Sequence, residues 1–259
     1  MDILGKIVAV KKREVRRNKK VRPVKDLEKS PFFSIPVRSF YGALNKPFPA
    51  IIAEFKRKSP SKGIINNTSQ IDDVAKGYFI AGVSAMSILT DKDFFGGSIN
   101  DLSSVAGLSL MPLLRKDFII DEYQVIEARS AGASAILLIG SILSRKLSSE
   151  LTRLAFSLGM EVLFEIHELK DLEVMENSVR IIGVNNRNLS SFKVDRKKSV
   201  DMLSHLPGTC LKIAESGFET PDEVQKMFTC GYNAFLIGER FMRSGNPGKS
   251  AAEFISALK

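Results

Sequence analysis

Eight short apolar runs are spaced along the 259-residue chain, and they alternate with segments long enough to form helices. Continuous apolar runs of this length are typical of parallel strands that are buried on both faces. Eight strand–helix units predict a closed (β/α)8 TIM barrel, in which the carboxyl ends of all strands meet at one mouth. The first strand should begin near residue 50, and the others are predicted at 85–89, 111–114, 135–139, 162–166, 180–184, 211–214 and 234–237.

A doubly wound sheet of the Rossmann type is the competing fold. It is disfavoured because no GxGxxG motif follows the first strand and because chemically reactive residues end so many different strands. The prediction is therefore a single domain, 1–259, with a barrel at 46–259 and an N-terminal helical extension at 1–45. The extension should open with a helix that Asp2 caps and whose apolar face includes Ile3, Ile7 and Val8.

Helix signals lie between the predicted strands. The helix period predicts helices at 71–81, 121–131, 148–157 and 251–258, with a shorter one at 39–44. Asp121 is expected to cap the second of these helices. Another helix should begin at Pro221, with Thr220 as its cap, because proline is favoured in the first helical turn.

Charge is distributed unevenly. The formal net charge is +9, and residues 11–22 alone hold eight basic side chains and one acidic side chain. A basic segment can bind phosphate backbones, but this one has no interleaved aromatic residues. We therefore favour a solvated helix face, one that would also help to attract an anionic substrate, and expect no nucleic-acid partner.

Apolar stretch length, the N-terminal residues and the cysteine count indicate the cellular compartment. No apolar stretch is long enough to span a bilayer, and the first fifteen residues lack the pattern of a secretory signal. The two cysteines form no CxxC motif, which argues against a disulfide framework or a zinc site. We expect a cytoplasmic protein that neither binds a membrane nor holds a metal.

The side chains that end the first strand carry opposite charges. Glu54 and Lys56 are two residues apart, so both should face the barrel interior near its mouth. Buried charges need partners, and a purely structural ion pair is the alternative to a catalytic role. The loop at 57–63 contains hydroxyl groups, ammonium groups and a glycine, which suit an anionic ligand, although a polar surface loop would look similar.

Ionisable residues also end the third and fifth strands. The pKa of a lysine is ordinarily about 10.4, and we expect burial and the nearby cation Lys56 to lower the pKa of Lys116 until it can act as a general acid. A salt bridge from Lys116 to Asp117 or Glu165 is the alternative. In a partly apolar site Glu165 should have a raised pKa and exchange protons near neutrality. His167 follows on the same strand face, where a supporting role is favoured over a catalytic one.

The last three strands end in residues that suit substrate binding. Asn185 can hydrogen-bond a hydroxyl or a carboxylate. The segment 215–217 and the pair Gly238 and Glu239 follow the seventh and eighth strands, where many barrels bind phosphate through backbone N–H groups. Glycines after strands are also ordinary turn residues. Phe118, with the pair at 94–95, would form an apolar wall for an aromatic ring, or belong simply to the core.

Several segments resemble one known enzyme family, in order along the whole chain. They are IIAEFKRKSPSKG, LTDKDFFGGS, LLRKDFIIDEYQ, VLFEIH, IIGVNNRNL, IAESG and FLIGERFM. Together they resemble the signature segments of indole-3-glycerol phosphate synthase, an enzyme of tryptophan biosynthesis. The resemblance implies a (β/α)8 barrel that converts 1-(o-carboxyphenylamino)-1-deoxyribulose 5-phosphate to indole-3-glycerol phosphate, releasing carbon dioxide and water. It implies no metal or organic cofactor, and it allows other tryptophan-pathway enzymes as partners.

The resemblance also implies roles for individual residues. Lys116 matches the general acid, and Glu165 matches the residue that transfers a proton during loss of water. The other implied catalytic residues are Glu54, Lys56, Asn185 and Glu215. The expected substrate- and phosphate-binding residues are Ser59, Phe118, Ser216, Gly217, Leu236, Gly238 and Glu239. Glu239 stands where some relatives have serine, so a phosphate contact there would have to come from its backbone N–H.

Two other functions compete with this assignment. Another phosphate-binding barrel, such as a sugar-phosphate isomerase, would commonly use Asp or Cys as its acid–base pair, whereas this chain offers Lys56, Lys116 and Glu165. A catalytically silent barrel that binds RNA or protein through its basic segment would not need those strand-end residues.

Overall fold

The computed structural model describes residues 3–108, 110–187 and 194–258, and within them eight parallel strands close into one barrel. The strands are β1 (Ala50–Phe55), β2 (Ala85–Leu89), β3 (Leu113–Lys116), β4 (Ala135–Ile139), β5 (Glu161–Ile166), β6 (Ile181–Asn185), β7 (Leu211–Glu215) and β8 (Ala234–Ile237). Each strand pairs with its neighbours in chain order, and β1 pairs with β8 to close the barrel. The predicted fold is confirmed.

Helices surround the barrel and also form its N-terminal extension. They are α1 (Ile3–Val21), α2 (Val24–Leu27), α3 (Phe40–Leu44), α4 (Ile71–Ala81), α5 (Ile99–Leu108), α6 (Glu122–Ser130), α7 (Arg145–Ser157), α8 (Arg196–Met202), α9 (Pro221–Cys230), α10 (Glu239–Met242) and α11 (Pro247–Ser256). A two-stranded hairpin, Lys58–Ser59 with Gly63–Ile64, follows β1, and a 3-10 helix at Leu169–Val174 stands between β5 and β6. No helix in the described part of the chain has the length and apolar character needed to cross a membrane.

The alternation of side chains along each strand separates two apolar layers. On β1, Ala50 and Ile52 belong to the cluster that fills the barrel, whereas Ile51 and Phe55 pack outward against the helices. Since successive side chains of a strand face opposite sides, Glu54 continues the inward set. The same parity places the polar residues that end the other strands inside the barrel mouth.

Local capping signals set most helix boundaries. The Asp121 carboxylate accepts a hydrogen bond from the Tyr123 N–H at 2.9 Å, and the Thr220 hydroxyl accepts one from the Glu223 N–H at 3.4 Å, so both predicted caps are confirmed. The proposed cap Asp2 lies outside the described residues.

Three elements begin two or more residues from their predicted starts. Strand β3 starts at Leu113 rather than at residue 111, where the following Pro112 has no N–H to donate to a strand ladder. Helix α7 begins three residues earlier than predicted, because Ser144 caps it by accepting from the Leu147 N–H. Helix α11 begins at Pro247 for the same reason, with Asn246 as its cap.

Helix α1 lies across the barrel with one face buried and the other in solvent. Ile7, Lys11 and Val15 are its buried residues. Its exposed cations other than Lys19, which pairs with Asp121, form what we call the basic face, which consists of Lys6, Lys12, Arg13, Arg16, Arg17 and Lys20. The prediction of a solvated basic segment is therefore confirmed for this face and wrong for Lys11, which is 0% exposed.

Candidate active site

A cleft of about 910 Å³ opens at the carboxyl ends of the strands. All thirteen residues predicted for the site line it, and β1, β3, β5, β6, β7 and β8 each contribute. They are Glu54, Lys56, Ser59, Lys116, Phe118, Glu165, Asn185, Glu215, Ser216, Gly217, Leu236, Gly238 and Glu239. The barrel thus brings together residues that are up to 185 positions apart in the chain, as the strand-end pattern predicted.

Lys116 lies at the centre of the cleft between two carboxylates. Its Nζ donates to Glu165 Oε2 and to Glu215 Oε2, each at 2.6 Å. The three side chains come from β3, β5 and β7, and at most 13% of any of them is exposed. One of the two salt bridges proposed as an alternative for Lys116 therefore exists, the one to Glu165. Asp117 instead pairs with Lys11 at 2.8 Å and with Arg115 at 3.2 Å.

The predicted direction of two pKa shifts is wrong. Burial alone would lower the pKa of Lys116, but Glu165, Glu215 and Glu54 outweigh it and raise the pKa, so Lys116 is a firmly charged ammonium. Burial also opposes ionisation of Glu165, yet Lys116 and His167 hold its pKa well below the usual range. Sequence reasoning offered a salt bridge to Glu165 only as an alternative and did not consider Glu215 or Glu54 as anionic neighbours of Lys116.

The carboxyl with a raised pKa is Glu215. Burial raises its pKa to about 8, and the negative charge of Glu165 adds to the effect, while Lys116 opposes it. Its Oε1 has no hydrogen-bond partner among the described residues, which removes a stabilising contact from the ionised form. The charges at the centre therefore favour an ammonium at Lys116 and a carboxylate at Glu165, while Glu215 keeps its proton to a higher pH than an ordinary glutamate.

Neighbouring side chains fix the two glutamates in place. Asn185 Nδ2 donates to Glu165 Oε1 at 3.3 Å, and His167 Nε2 lies 2.9 Å from the same oxygen. The Glu165 carboxylate raises the pKa of His167 against the effect of burial, so this contact favours the protonated imidazole. The position of His167 agrees with the supporting role that we favoured. A Cβ on Gly183 would lie 2.1 Å from Glu215 Oε1, so only glycine leaves room for this carboxyl.

The pair at the end of β1 forms the ion pair that its spacing allowed. Lys56 Nζ donates to Glu54 Oε1 at 2.7 Å, and Ser87 on β2 donates to Glu54 Oε2 at 3.3 Å. Gly238 lies beside this pair, and a Cβ there would come within 2.9 Å of Glu54. The side chain of Glu54 is 4% exposed and that of Lys56 is 17% exposed, so the lysine is the member that a ligand could reach more easily.

Backbone loops end the cleft on its β7 and β8 side. Ser216 and Gly217 both have positive φ, 73° and 83°, and this conformation is unusual for a serine. Their carbonyls accept hydrogen bonds from Asn186 Nδ2 at 2.8 Å and from Arg196 Nη1 at 2.6 Å. Because two side chains hold its carbonyls, the strained conformation of the loop is fixed by the surrounding structure.

Cations surround Glu239 at the same end of the cleft. Its carboxylate lies 3.5 Å from Arg187 and 3.9 Å from both Lys62 and Arg243. Both Arg187 and Lys62 line the cleft. Lys62 belongs to the loop that we expected to suit an anionic ligand, whereas Arg187 was missing from the predicted site although it lies within a segment that carries the family resemblance. The excess of positive charge makes this end suitable for an anion.

The first loop contributes less than its composition indicated. Ser59 and Lys62 line the cleft. Arg57 instead forms a two-pronged pair with Asp101 on α5, at 2.5 and 3.0 Å, and Lys58 donates to the carbonyl of Asp93 at 2.7 Å. The side chains of Arg57 and Lys58 therefore stabilise the contact between this loop and the segment that follows β2, and we assign them no role in binding a ligand.

Apolar side chains form the opposite wall. The rings of Phe95 and Phe118 are 6.1 Å apart, and both line the cleft with Leu236. Helix α1 adds Ile3 and Leu4, together with the buried Ile7. The contribution of α1 to this wall was missed, because its apolar face was predicted without any indication of where the helix docks.

Comparisons with known proteins agree with the geometry. Residues 4–254 match the family described as Indole-3-glycerol phosphate synthase. The enzyme of that name from Bacteroides thetaiotaomicron is 41% identical over 259 residues, covering 100% of this chain and 99% of the relative. The enzyme from Polaromonas naphthalenivorans is 41% identical over 257 residues, covering 97% of this chain and 98% of the relative.

A solved structure supports the fold alone. The 3-hexulose-6-phosphate synthase from Salmonella typhimurium superimposes with a TM-score of 0.63 at 13% identity, covering 81% of this chain and 98% of that chain. The function is carried instead by the family match over nearly the whole chain and by relatives about 40% identical. The chain belongs to the indole-3-glycerol phosphate synthase family.

Proposed function

We propose that this cleft carries out the reaction of its family. The roles of Lys116, Glu165 and Glu215 in that reaction follow from the protonation states described above. The reaction closes the pyrrole ring of indole from 1-(o-carboxyphenylamino)-1-deoxyribulose 5-phosphate and releases carbon dioxide and water. The observation that carries the proposal is the triad of Lys116, Glu165 and Glu215, placed between an apolar wall and a cationic end of one cleft.

Lys116 serves as the acid for ring closure. When the aromatic carbon attacks the ribulose carbonyl, negative charge develops on the carbonyl oxygen, and a proton must reach it. A buried ammonium directed at that oxygen stabilises the charge and supplies the proton, since it is charged throughout the neutral range. A positioned proton transfer of this kind contributes roughly 10²- to 10⁴-fold in rate. Lys56, which directly follows β1, also contacts the substrate.

The two glutamates serve the later loss of water. Glu165 is ionised and can accept the proton that the substrate loses, and Glu215 holds a proton that it can donate to the departing hydroxyl, which then leaves as water. Two carboxyl groups with opposite protonation states suit a step that removes a hydroxyl and a proton together. Asn185 holds Glu165 and orients the anthranilate portion of the substrate.

The two ends of the cleft divide the substrate between them. Phe118 and Leu236 contact the aromatic ring on the apolar wall. The loops at 216–217 and 238–239, with Ser59, bind the phosphate, and the positive charge of Lys62 and Arg187 favours that end. Carbon dioxide leaves from the carboxylate-bearing carbon once ring closure has disrupted its aromaticity.

The proposal extends to the organisation of the chain. Residues 1–259 act as one catalytic domain, with 1–45 as an extension and 46–259 as the barrel. The enzyme works in the cytoplasm, where the other enzymes of tryptophan synthesis are the candidate protein partners. No group of three or more potential metal ligands occurs among the residues that the structure describes.

The test is to incubate purified protein with the carboxyphenylamino-deoxyribulose phosphate and to follow indole fluorescence with and without EDTA. The chain contains no tryptophan, so the product signal rises from a low background. Growth of the signal at the same rate in EDTA would support both the substrate and a metal-independent reaction. No signal from protein with a cooperative unfolding transition would overturn the proposal.

A further inference from the structure

One buried ion network lies outside the proposed chemistry. Lys11 of α1 is 0% exposed, and its ammonium contacts three carboxylates: Asp117 at 2.8 Å, Asp91 at 3.0 Å and Glu14 at 3.0 Å. Asp91 follows β2 and Asp117 follows β3, and both are fully buried. One side chain of the N-terminal extension therefore joins two adjacent loops at the barrel mouth.

Each aspartate also holds a loop that presents an aromatic ring. Asp91 Oδ1 accepts hydrogen bonds from the N–H groups of Phe94 at 2.8 Å and Phe95 at 3.2 Å. Asp117 Oδ1 accepts from the Phe118 N–H at 2.8 Å. Because Lys11 binds both aspartates, it fixes the distance between the loops that carry Phe95 and Phe118.

The far side of Asp117 is anchored in the barrel. Its Oδ2 accepts from the Thr90 hydroxyl at 2.6 Å and from Arg115 Nη2 at 3.2 Å. Arg115 in turn donates to Glu127 on α6 at 2.7 Å. Although burial opposes ionisation of Asp117, Lys11 and Arg115 lower its pKa to about 2, and the same pairing raises the pKa of Lys11. Lys11 and Asp117 are therefore both charged at neutral pH.

We propose that Lys11 is a positioning residue of the active site, which sets the aromatic wall formed by Phe95 and Phe118 for the ring of the substrate. Without the ammonium, Asp91 and Asp117 would face each other as buried like charges and would move apart. The loops that they hold would move with them, and so would the wall. Of the segments proposed to bind the phosphate, the loops that follow β7 and β8 lie outside this network.

This inference rests on the proposed function. A positioning role for Lys11 differs from a purely structural role because its loss should weaken binding of the aromatic end of the substrate and leave binding of the phosphate end unchanged. The variant K11M keeps the length and apolar stem of the side chain and removes the charge. We expect the KM for the carboxyphenylamino-deoxyribulose phosphate to rise at least tenfold. The inhibition constant of inorganic phosphate, a competitive probe of the other end, should change less than twofold.

Two further variants complete the experiment. D91N is the milder change, because the asparagine oxygen can still accept from the Phe94 and Phe95 N–H groups while the charge that Lys11 binds is gone; it should raise KM two- to fivefold. K19M removes a cation from the same helix, one whose partner is Asp121 at a partly exposed site, and should leave KM unchanged. If K11M does not fold, the KM of D91N is the measurement that tests the inference.

The possible outcomes are distinct. Unchanged KM in K11M or, where K11M does not fold, in D91N would overturn the inference. An equal loss of affinity for substrate and phosphate would also overturn it, because that pattern reports general loosening of the barrel. If wild-type protein forms no indole product, the proposed function fails first, and phosphate binding alone would not rescue the inference.

Discussion

Replacing Glu215 by glutamine should stabilise the protein at neutral and alkaline pH. Glutamine matches the protonated carboxyl in shape and keeps an acceptor for Lys116, whose Nζ lies 2.6 Å from Glu215 Oε2. Burial raises the pKa of Glu215 from 4.5 to about 8. Between these values the unfolded chain has released the proton while the folded protein still holds it. Raising the pH through this window therefore favours unfolding of wild type, and E215Q lacks the group responsible.

The size of the effect follows from the width of the window. Each unit of pKa shift corresponds to about 1.4 kcal/mol. The shift from 4.5 to about 8 therefore gives a difference in unfolding free energy on the order of 5 kcal/mol in favour of E215Q, accumulated as the pH rises from 4.5 and complete above pH 8. The site is fully buried, so water does not screen it. The same substitution should reduce kcat, because glutamine cannot release a proton.

Urea unfolding of both proteins at unit steps from pH 5 to pH 9 measures this difference. The matched control is E253Q on α11, where the side chain is 66% exposed and water solvates the carboxylate before and after unfolding. Its stability should follow that of wild type at every pH. The reasoning is refuted if the curves for E215Q and wild type run parallel across the range. It is also refuted if E215Q is less stable than wild type at pH 8.

Three further outcomes are expected. K116A and E165Q should each lower kcat by about 10²-fold or more; a loss of less than tenfold in both, measured by the indole fluorescence assay, would contradict their roles. G183A should displace the Glu215 carboxyl, because the new Cβ would lie 2.1 Å from its Oε1; kcat should fall at least tenfold and urea unfolding should show a loss of about 1–3 kcal/mol, whereas wild-type behaviour would mean that the site relaxes freely. The basic face has no aromatic residue for base stacking, so fluorescence anisotropy with random-sequence RNA should show no measurable affinity near ~150 mM salt. Binding that disappears when the basic face is neutralised to glutamine would reverse that conclusion.

Strand parity explains why the site could be predicted so fully. A residue that ends a barrel strand faces the interior if it lies an even number of positions from an interior residue, as Lys116 does from Leu114 and Glu165 does from Leu163. An apolar run with a charged residue in phase near its end therefore fixes both the face and the height of that residue. This information is local, so one sequence is enough to supply it.

Protonation states were not predictable in the same way. Lys116, Glu165 and Glu215 come from three strands, and their pKa values depend on distances that no sequence spacing gives. Sequence reasoning placed the raised pKa on Glu165, whereas the structure places it on Glu215. Lys116 contacts both carboxyl groups, but His167 lies 2.9 Å from Glu165 and helps to lower the pKa of that residue. The choice between the two glutamates depends on one additional side chain.

The burial of Lys11 was not predicted, although the sequence contains a pattern that indicates it. Ile7, Lys11 and Val15 are four residues apart and lie on one helix face, so the lysine interrupts an apolar stripe. A lysine there must find anionic partners when the helix docks, because an unpaired buried charge is strongly destabilising. Aspartates that follow neighbouring strands at the barrel mouth are the partners that it finds. Pairing therefore favours this docking position for α1, and it explains why a helix with seven basic residues between positions 11 and 21 still has one face packed against the active site.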